Sequence, residues 1–255
     1  MNIKILIATH KPYWMPEDDI YLPIQVGSAI SKTDLGYCRD DSGDNISSKN
    51  KNYCELTGLY WAWKNLDADY IGLAHYRRHF TVRRGSDKQT LPISGSEIAD
   101  ILNATDVILP KKRNYYIETT YTHYIHAHHK EDLDITEQIL TEKYPEYLSA
   151  YKSVMNSSKG HRFNMFVMKK DIFDSYCGWL FDILFELEKR LDISEYSVND
   201  ARVFGFVAER LLDVWLIKNN ISYKEIPYVF MEKQNWIKKG GAFLRRKLSS
   251  PNHES

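Results

Sequence analysis

Short apolar segments that alternate with helical segments constrain the fold of this chain more than any other feature. Apolar runs typical of buried strands occur at residues 1–8, 70–74 and 106–110, and apolar residues at helical spacing occur between the first two, at 53–66. Strands that alternate with helices form a mainly parallel sheet covered by helices. The sequence therefore predicts an α/β fold of the Rossmann type, in which a mixed, mainly parallel sheet is flanked by helices.

Other parts of the chain fit the same pattern. Ser94-Gly-Ser-Glu97 has the form of a capping box that begins a helix ending near Asn103. Residues 111–132, rich in Tyr and His, predict a long loop over a cleft. Further strands are predicted at residues 21–30, 163–170 and 221–230, and further helices at 133–143, 145–156, 171–190 and 200–219. We expect residues 1–230 to form a single domain and residues 231–255 to form a basic tail.

Composition argues against several classes of protein. Lys and Arg together number 34, as do Asp and Glu, so the formal net charge is zero and argues against a nucleic-acid-binding protein. No apolar run reaches the roughly 18 residues that a membrane-spanning helix needs. Three widely separated cysteines, Cys38, Cys54 and Cys177, suit a reducing cytoplasm and form neither a disulfide frame nor a zinc motif. We therefore expect a cytoplasmic protein.

Two of the predicted strands end in polar and charged residues, which are His10, Lys11, His75, Tyr76, Arg77 and Arg78. In parallel sheets, ligands bind at the carboxyl ends of the strands. Guanidinium groups match phosphate oxygens with paired N–H donors, so Arg77 and Arg78 predict a phosphate site. On a continuous strand these two side chains would point to opposite faces, so only one would meet phosphate unless the strand has ended. The alternative is a structural salt-bridge cluster or a solvated strand end.

The order of these segments resembles the nucleotide-binding half of GT-A glycosyltransferases, in which a loop and a helix precede a strand with a polar end. The segments DNISSKN, YCELTGLYWAWKN and YIGLAHYRRHF resemble a family of bacterial capsule and exopolysaccharide glycosyltransferases, long known only as a domain of unknown function. The resemblance extends from residue 3 to about residue 230. It implies a GT-A-like fold and transfer of a hexose, with galactose in pyranose or furanose form preferred, from a UDP-sugar. The acceptor would be a lipid-linked saccharide in capsule, lipopolysaccharide or exopolysaccharide synthesis.

The resemblance also indicates whether a divalent metal ion is needed to bind the donor. The strand of GT-A enzymes ends in an Asp-x-Asp motif that holds a divalent metal on the donor diphosphate, whereas His75, Tyr76 and Arg77 occupy that place here. We expect Arg77 and Arg78 to do the work of the metal, with hydrogen bonds from His75 and Tyr76. No cofactor is therefore expected, and Mn²⁺ or Mg²⁺ is the alternative.

Two further segments are candidates for donor binding. His10 and Lys11 would lie beside the base and ribose of the donor in a GT-A fold. The polar loop before the helix offers groups that bond uracil edges, ribose hydroxyls or phosphate, namely Asp44, Asn45, Ser47, Lys49 and Asn50. The alternatives are an exposed turn at residues 10–11 and a polar turn with local side-chain caps at residues 44–50. The predicted donor-binding residues are thus these seven together with His75, Tyr76, Arg77 and Arg78.

Histidines dominate the candidates for sugar and acceptor binding. His126 and His128 belong to the stretch YTHYIHAHHKEDL, which we expect to line the cleft; a metal site is the alternative, but no tight ligand template is present. His161, Arg162 and Asn164 precede a predicted strand that resembles the sugar-contacting strand of GT-A enzymes.

An inverting glycosyltransferase needs a carboxylate to deprotonate the acceptor hydroxyl. Glu209 is the predicted base, because Gly205 and Glu209 resemble the turn that carries the base in many GT-A enzymes, and Asp200 is the second candidate. The alternative is that Glu209 pairs with Arg210 or Arg202 on a helix face. For Glu55, near the start of its helix, the sequence favours a structural role facing the helix dipole.

The tail mixes cations with aromatic and aliphatic residues, the composition of a segment that docks on a membrane surface. We expect it to hold the protein at the inner face of the cytoplasmic membrane, where a lipid-linked acceptor would lie; a solvated tail is the alternative.

Two other functions remain open for the basic pocket. They are a nucleotide-sugar hydrolase and a non-catalytic nucleotide-sugar-binding assembly protein.

Overall fold

The computed structural model describes residues 1–232, and the predicted docking tail from residue 233 onward lies outside them. In this described part of the chain, nine strands form one sheet: β1 (Ile3–Thr9), β2 (Tyr21–Gln25), β3 (Cys38–Arg39), β4 (Tyr70–His75), β5 (Arg78–Phe80), β6 (Val107–Pro110), β9 (Phe166–Lys169), β10 (Lys224–Ile226) and β11 (Tyr228–Phe230). A separate two-stranded sheet consists of β7 (Arg113–Asn114) and β8 (Lys159–Gly160).

Eight α-helices of residues 1–232 connect and cover these strands. They are α1 (Asn50–Tyr53), α2 (Leu56–Asn65), α3 (Gly95–Leu102), α4 (Thr120–Ile125), α5 (Lys130–Lys143), α6 (Leu148–Asn156), α7 (Lys170–Arg190) and α8 (Val203–Lys218), and short 3₁₀ turns precede several of them. Within residues 1–232, none of these helices is long and apolar enough to cross a membrane.

The sheet is mixed and mainly parallel, as the sequence predicts. Its order is β10-β6-β9-β4-β1-β2-β3, and β9 runs antiparallel to both of its neighbours, β4 and β6. The other neighbours on this path pair in parallel, which brings the carboxyl ends of β1, β4 and β6 to one edge together with the amino end of β9. Segments that follow or precede these strand ends therefore meet at a single cleft.

Helices cover both faces of the sheet, and β1 shows why. Leu6 and Ala8 belong to one apolar cluster, which also contains residues of α2, α7 and α8, whereas Ile5 and Ile7 belong to a second cluster that includes residues of α3. Successive side chains of a strand point to opposite faces, so a strand that is apolar at consecutive positions must be buried on both.

The main correction to the predicted elements concerns residues 111–132. They are not one long loop: they contain β7 and α4, and α5 begins at Lys130. The start of α4 is a capping box in which Thr119 and Thr122 bond reciprocally. Thr at the third helical position is outside the Glu/Gln signature, so the sequence pattern did not reveal this helix. By contrast, the predicted Ser94–Glu97 capping box is confirmed.

Glycine at position 72 is required by close packing in the middle of the sheet. A Cβ there would lie 2.8 Å from the carbonyl oxygen of Phe166 on β9 and 3.2 Å from Ile5 on β1. We expect Gly72→Ala to lower the free energy of unfolding by about 1–3 kcal/mol, because backbone must shift to admit the methyl group.

Gly178→Ala is the matched control. A Cβ at Gly178, inside α7, would meet only the Trp63 ring at 3.8 Å, which is ordinary contact. Relief of the helix penalty of glycine should make this variant more stable by about 0.5–1 kcal/mol. Urea unfolding of both variants measures the difference, and equal effects would contradict the packing explanation.

Candidate functional site

A cleft lies where the strand ends meet, and it consists of two adjoining cavities. The first, of about 260 Å³, lies beside the end of β1 and is lined in part by His10, Asn50 and Lys51. The second, of about 300 Å³, extends toward α4 and α8. In the part of the chain that the structure describes, four residues line both cavities: Glu55, His75, Arg77 and Arg202. We call these four residues the junction.

The end of β4 brings both predicted phosphate-binding arginines to the cleft. The strand ends at His75, the chain turns, and β5 runs back antiparallel with Arg78 opposite His75. The backbone N–H of Arg77 donates to Nδ1 of His75 at 3.2 Å, which closes the turn. Because the strand has ended, the opposite-face rule does not apply, and Arg77 and Arg78 both line the second cavity.

The second cavity carries an excess of positive charge. Two carboxylates, Glu55 and Glu209, face six arginines, which are Arg77, Arg78, Arg113, Arg162, Arg202 and Arg210. Such an excess in a concave, partly buried site favours anions with more than one negative charge.

Two of these arginines are already engaged. Arg162 donates to the Tyr115 hydroxyl at 2.9 Å and to Oγ1 of Thr120 at 3.0 Å, and Arg210 pairs with Glu209 at 3.0 Å. Both therefore serve the architecture of the cleft rather than an incoming ligand.

Three other arginines keep donors for a ligand. Arg77 lies 3.7 Å from Glu232, a long ion pair, and Arg202 donates to Sγ of Cys54 at 3.1 Å. Arg78 packs 4.1 Å over the Phe163 ring and forms no ion pair with a carboxylate of residues 1–232. Burial lowers the pKa of Arg78, which means that its charge has lost solvation that a bound anion would replace.

His75 at the junction is a neutral donor. Burial, followed by the charges of Arg78 and Arg77, lowers its pKa to about 2, so the ring is uncharged near neutral pH. Its Nδ1 accepts the N–H of Arg77, so the proton of the neutral ring is on Nε2. His75 therefore adds a hydrogen-bond donor to the junction without adding charge.

The two carboxylates of the cleft have different surroundings. The oxygens of Glu209 accept from the backbone N–H of Phe163 at 3.1 Å and from Arg210 at 3.0 Å. Glu55 accepts from Nδ2 of Asn164 at 2.8 Å. Burial raises the pKa of Glu55; the bond from Asn164 opposes this shift, and the charge of Glu209 adds to it. A carboxyl with a raised pKa in a cleft is a candidate for proton transfer.

The predicted donor-binding residues divide into two groups. His10, Asn50, His75, Arg77 and Arg78 line the cleft. Tyr76 and Lys11 line neither cavity: Tyr76 is buried, and the amino group of Lys11 lies 5.1 Å over its ring.

The other four, Asp44, Asn45, Ser47 and Lys49, do not line either cavity. Asp44 accepts from the Tyr60 hydroxyl, and Oδ1 of Asn45 closes a turn by accepting from the backbone of Ser47. The Ser47 side chain bonds buried Asp40, and Lys49 pairs with Glu188. Local caps and ion pairs thus satisfy the polar groups of this loop.

Among the predicted sugar and acceptor residues, His128 and Arg162 line the second cavity. His128 stacks on Phe206 with ring centroids 4.2 Å apart, and burial lowers its pKa. Asp200 does not line the cleft; its carboxylate lies 3.2 Å from Nδ1 of His128 and so orients the His128 ring.

The remaining three do not appear in the walls of the cleft. His126 pairs with Glu118 at 2.7 Å outside it. His161 is fully buried and bonds Asp213 and Glu225. Asn164 is buried behind Glu55.

His123, in the stretch expected to line the cleft, does line it, whereas the sequence pattern did not single out the lining residues Glu55, Arg113, Tyr115, Arg202 and Phe206. Arg113 and Tyr115 follow β6 closely, so the rule that identified the end of β4 would also have identified them. Arg202 and Phe206 come from the start of α8, which only tertiary packing brings to the cleft. Within residues 1–232, no group of three or more His, Cys, Asp or Glu is arranged to hold a metal ion.

The fold has a counterpart among solved structures. The apo structure of the bifunctional glycosyltransferase WbbM matches 91% of this chain with 35% sequence identity and a TM-score of 0.83. The chain spans 46% of that protein, about half its length. No curated protein matches the chain significantly.

A family model described as a domain of unknown function, DUF4422, matches residues 4–220. This match covers most of the chain, and together with the structural match it confirms the family resemblance and the fold predicted from the sequence. The chain belongs to the DUF4422 family and has the fold of part of a glycosyltransferase.

Proposed function

We propose that this protein is a glycosyltransferase that takes a sugar from a nucleotide diphosphate donor. The observation that carries the proposal is the junction, where Arg77 and Arg202 lie beside a neutral His75 and a carboxylate, Glu55. Cleavage of a sugar nucleotide leaves a diphosphate on which negative charge develops, and preorganised cations stabilise that charge. The likeness to WbbM, a glycosyltransferase, supports the same reaction class.

The two cavities suit the two substrates. The first, with His10 and Asn50, has polar groups for a base and ribose, as in the donor half of a GT-A fold. The second has aromatic walls that include Tyr115 and Phe206, on which the CH faces of sugars pack. The donor therefore occupies the first cavity with its diphosphate at the junction, and the acceptor saccharide occupies the second.

Arginine side chains, and not a metal ion, bind the donor diphosphate. Arg77, Arg78 and Arg202 supply the charge, and Nε2–H of His75 supplies a further donor. Donor binding is then independent of Mn²⁺ and Mg²⁺. Binding that is lost in a chelator and restored by Mn²⁺ would favour the metal alternative.

The identity of the substrates rests on the family resemblance. We propose a UDP-hexose donor, with UDP-galactose in pyranose or furanose form as the first to test, and a lipid-linked saccharide acceptor in capsule, lipopolysaccharide or exopolysaccharide synthesis.

Product analysis separates a glycosyltransferase from the two alternative functions. Sugar release without acceptor would favour a hydrolase, and tight nucleotide binding without turnover would favour an assembly protein.

Arg77→Ala should weaken UDP binding about 10- to 100-fold and leave uridine binding unchanged, because a hydrogen bond to a charged group contributes about 1.5–3 kcal/mol. Arg83→Ala is the control, since Arg83 lies outside the cleft cavities and pairs with Glu97 at 2.6 Å. Calorimetric titration in the presence of EDTA measures both ligands. Equal losses for UDP and uridine would contradict a phosphate role for Arg77.

The tail supports a proposed site of action at the cytoplasmic face of the membrane. Residues 233–255 include six cations, Lys233, Lys238, Lys239, Arg245, Arg246 and Lys247. Each contributes roughly 1 kcal/mol near an anionic leaflet, which is enough for reversible docking if most engage.

Removal of residues 233–255 should abolish sedimentation with anionic liposomes at low salt and leave UDP affinity unchanged. The truncation leaves Glu232 and the ion pair with Arg77 in place. Neutral liposomes are the control for apolar binding. If full-length and truncated protein sediment equally, the tail has no docking role.

A further inference from the structure

We propose that Glu55 is the base that takes the proton from the acceptor hydroxyl, and that the turn Phe163–Asn164 holds it in position. This inference rests on the proposed transferase function. It departs from the sequence prediction, which assigned this role to Glu209 with Asp200 as the second candidate.

Position is the first argument for Glu55. In the described part of the chain, it is the carboxylate that lines both cavities, whereas Glu209 lines the second alone. Transfer must occur where donor and acceptor meet, so a base has to reach the junction. Asp200 lines neither cavity, and its carboxylate is held by Ser197 at 2.7 Å and His128 at 3.2 Å.

Pairing is the second argument. Glu209 forms an ion pair with Arg210, which occupies one of its oxygens. Glu55 forms no ion pair within residues 1–232, and its side-chain partner is the neutral amide of Asn164. The amide of Asn164 orients the Glu55 carboxylate without forming an ion pair with it.

Electrostatics agree with this assignment. Burial raises the pKa of Glu55, and the charge of Glu209 raises it further, while Asn164 and Arg202 oppose the shift. A base is most effective when its pKa approaches the working pH. Among the described residues, Glu209, Arg202, Arg78 and Cys54 interact electrostatically with Glu55, and His75 and Arg77 line both cavities with it.

The turn before β9 links the two carboxylates. Phe163 and Asn164 both have left-handed backbone conformations, with φ of 76° and 52°. The backbone of Phe163 donates to Glu209 at 3.1 Å, and the side chain of Asn164 donates to Glu55 at 2.8 Å and to the carbonyl of Gly205 at 3.2 Å. Left-handed backbone at residues other than glycine is typical of functional sites. Asn164 is therefore a positioning residue.

The proposed step is a single displacement. The acceptor oxygen forms a bond to the anomeric carbon while its proton passes to the Glu55 carboxylate. The bond from the anomeric carbon to the donor phosphate breaks, and its electron pair leaves with the diphosphate at Arg77 and Arg202. The anomeric configuration inverts.

Glu55→Gln tests the role of the carboxylate with little change in shape. Turnover should fall about 10²–10⁴-fold, the usual loss on removal of a general base, and UDP affinity should stay within about threefold of wild type. Thermal unfolding of each variant verifies that it is folded. Near-normal turnover of a folded Glu55→Gln variant, or retention of the anomeric configuration, would overturn the proposal.

The pH dependence of kcat/KM separates Glu55 from Glu209. Glu209→Gln removes a negative charge that raises the pKa of Glu55, so the acidic limb of the profile should move to lower pH. Asn164→Gly keeps the left-handed turn but removes the donor, so the acidic limb should move to higher pH and turnover should fall. A base at Glu209 would instead show its acidic limb lost in Glu209→Gln and kept in Glu55→Gln.

Failure of this inference is distinguishable from failure of the proposed function. Wild-type protein that transfers no sugar from any nucleotide sugar would refute the function itself. Active wild type with an active Glu55→Gln variant would refute only the base.

Discussion

The reversal of the chain at the end of β4 is the constraint on which the cleft depends. A continued strand would send Arg77 and Arg78 to opposite faces of the sheet. The turn instead pairs β5 with β4 and with β11, and the backbone N–H of Met231 donates to the carbonyl of Arg77 at 3.0 Å. The guanidinium groups of Arg77 and Arg78 therefore lie on one side of the sheet. Residues 228–232, at the end of the described chain, hold this turn through the pairing of β11 with β5 and the Met231–Arg77 bond.

Strained backbone concentrates around Glu55. Residues 1–232 contain five non-glycine residues with positive φ, and three of them, Cys54, Phe163 and Asn164, belong to the cleft or hold its carboxylates. Such conformations persist only where surrounding packing determines them. Here, Tyr53 on one side of Cys54 is buried against Phe204, and Asn164 leads directly into the central strand β9. Packing in the apolar clusters on both faces of the sheet thus holds these left-handed residues in place around the charged cleft.

The sequence predicts the framework of this fold well, because β1 and β4 are continuous apolar runs and α2 and α7 have apolar residues at helical spacing. The place of His75, Arg77 and Arg78 at a strand end follows from local order along the chain, and all three line the cleft. For the loop of Asp44 and Lys49, the local sequence does not show that the side chains pair with Tyr60 and Glu188. The raised pKa of Glu55 cannot be read from the sequence, because burial is its main cause and its neighbours Asn164 and Glu209 come from distant segments, Asn164 from 109 residues away.

A crystal structure of the protein with UDP tests the central claim most directly. We expect the diphosphate oxygens within hydrogen-bonding distance of Arg77 and Arg202, the uracil and ribose in the cavity beside His10 and Asn50, and the terminal phosphate directed toward Glu55. A nucleotide bound outside the junction, or a diphosphate held by a metal ion instead of by these arginines, would contradict it.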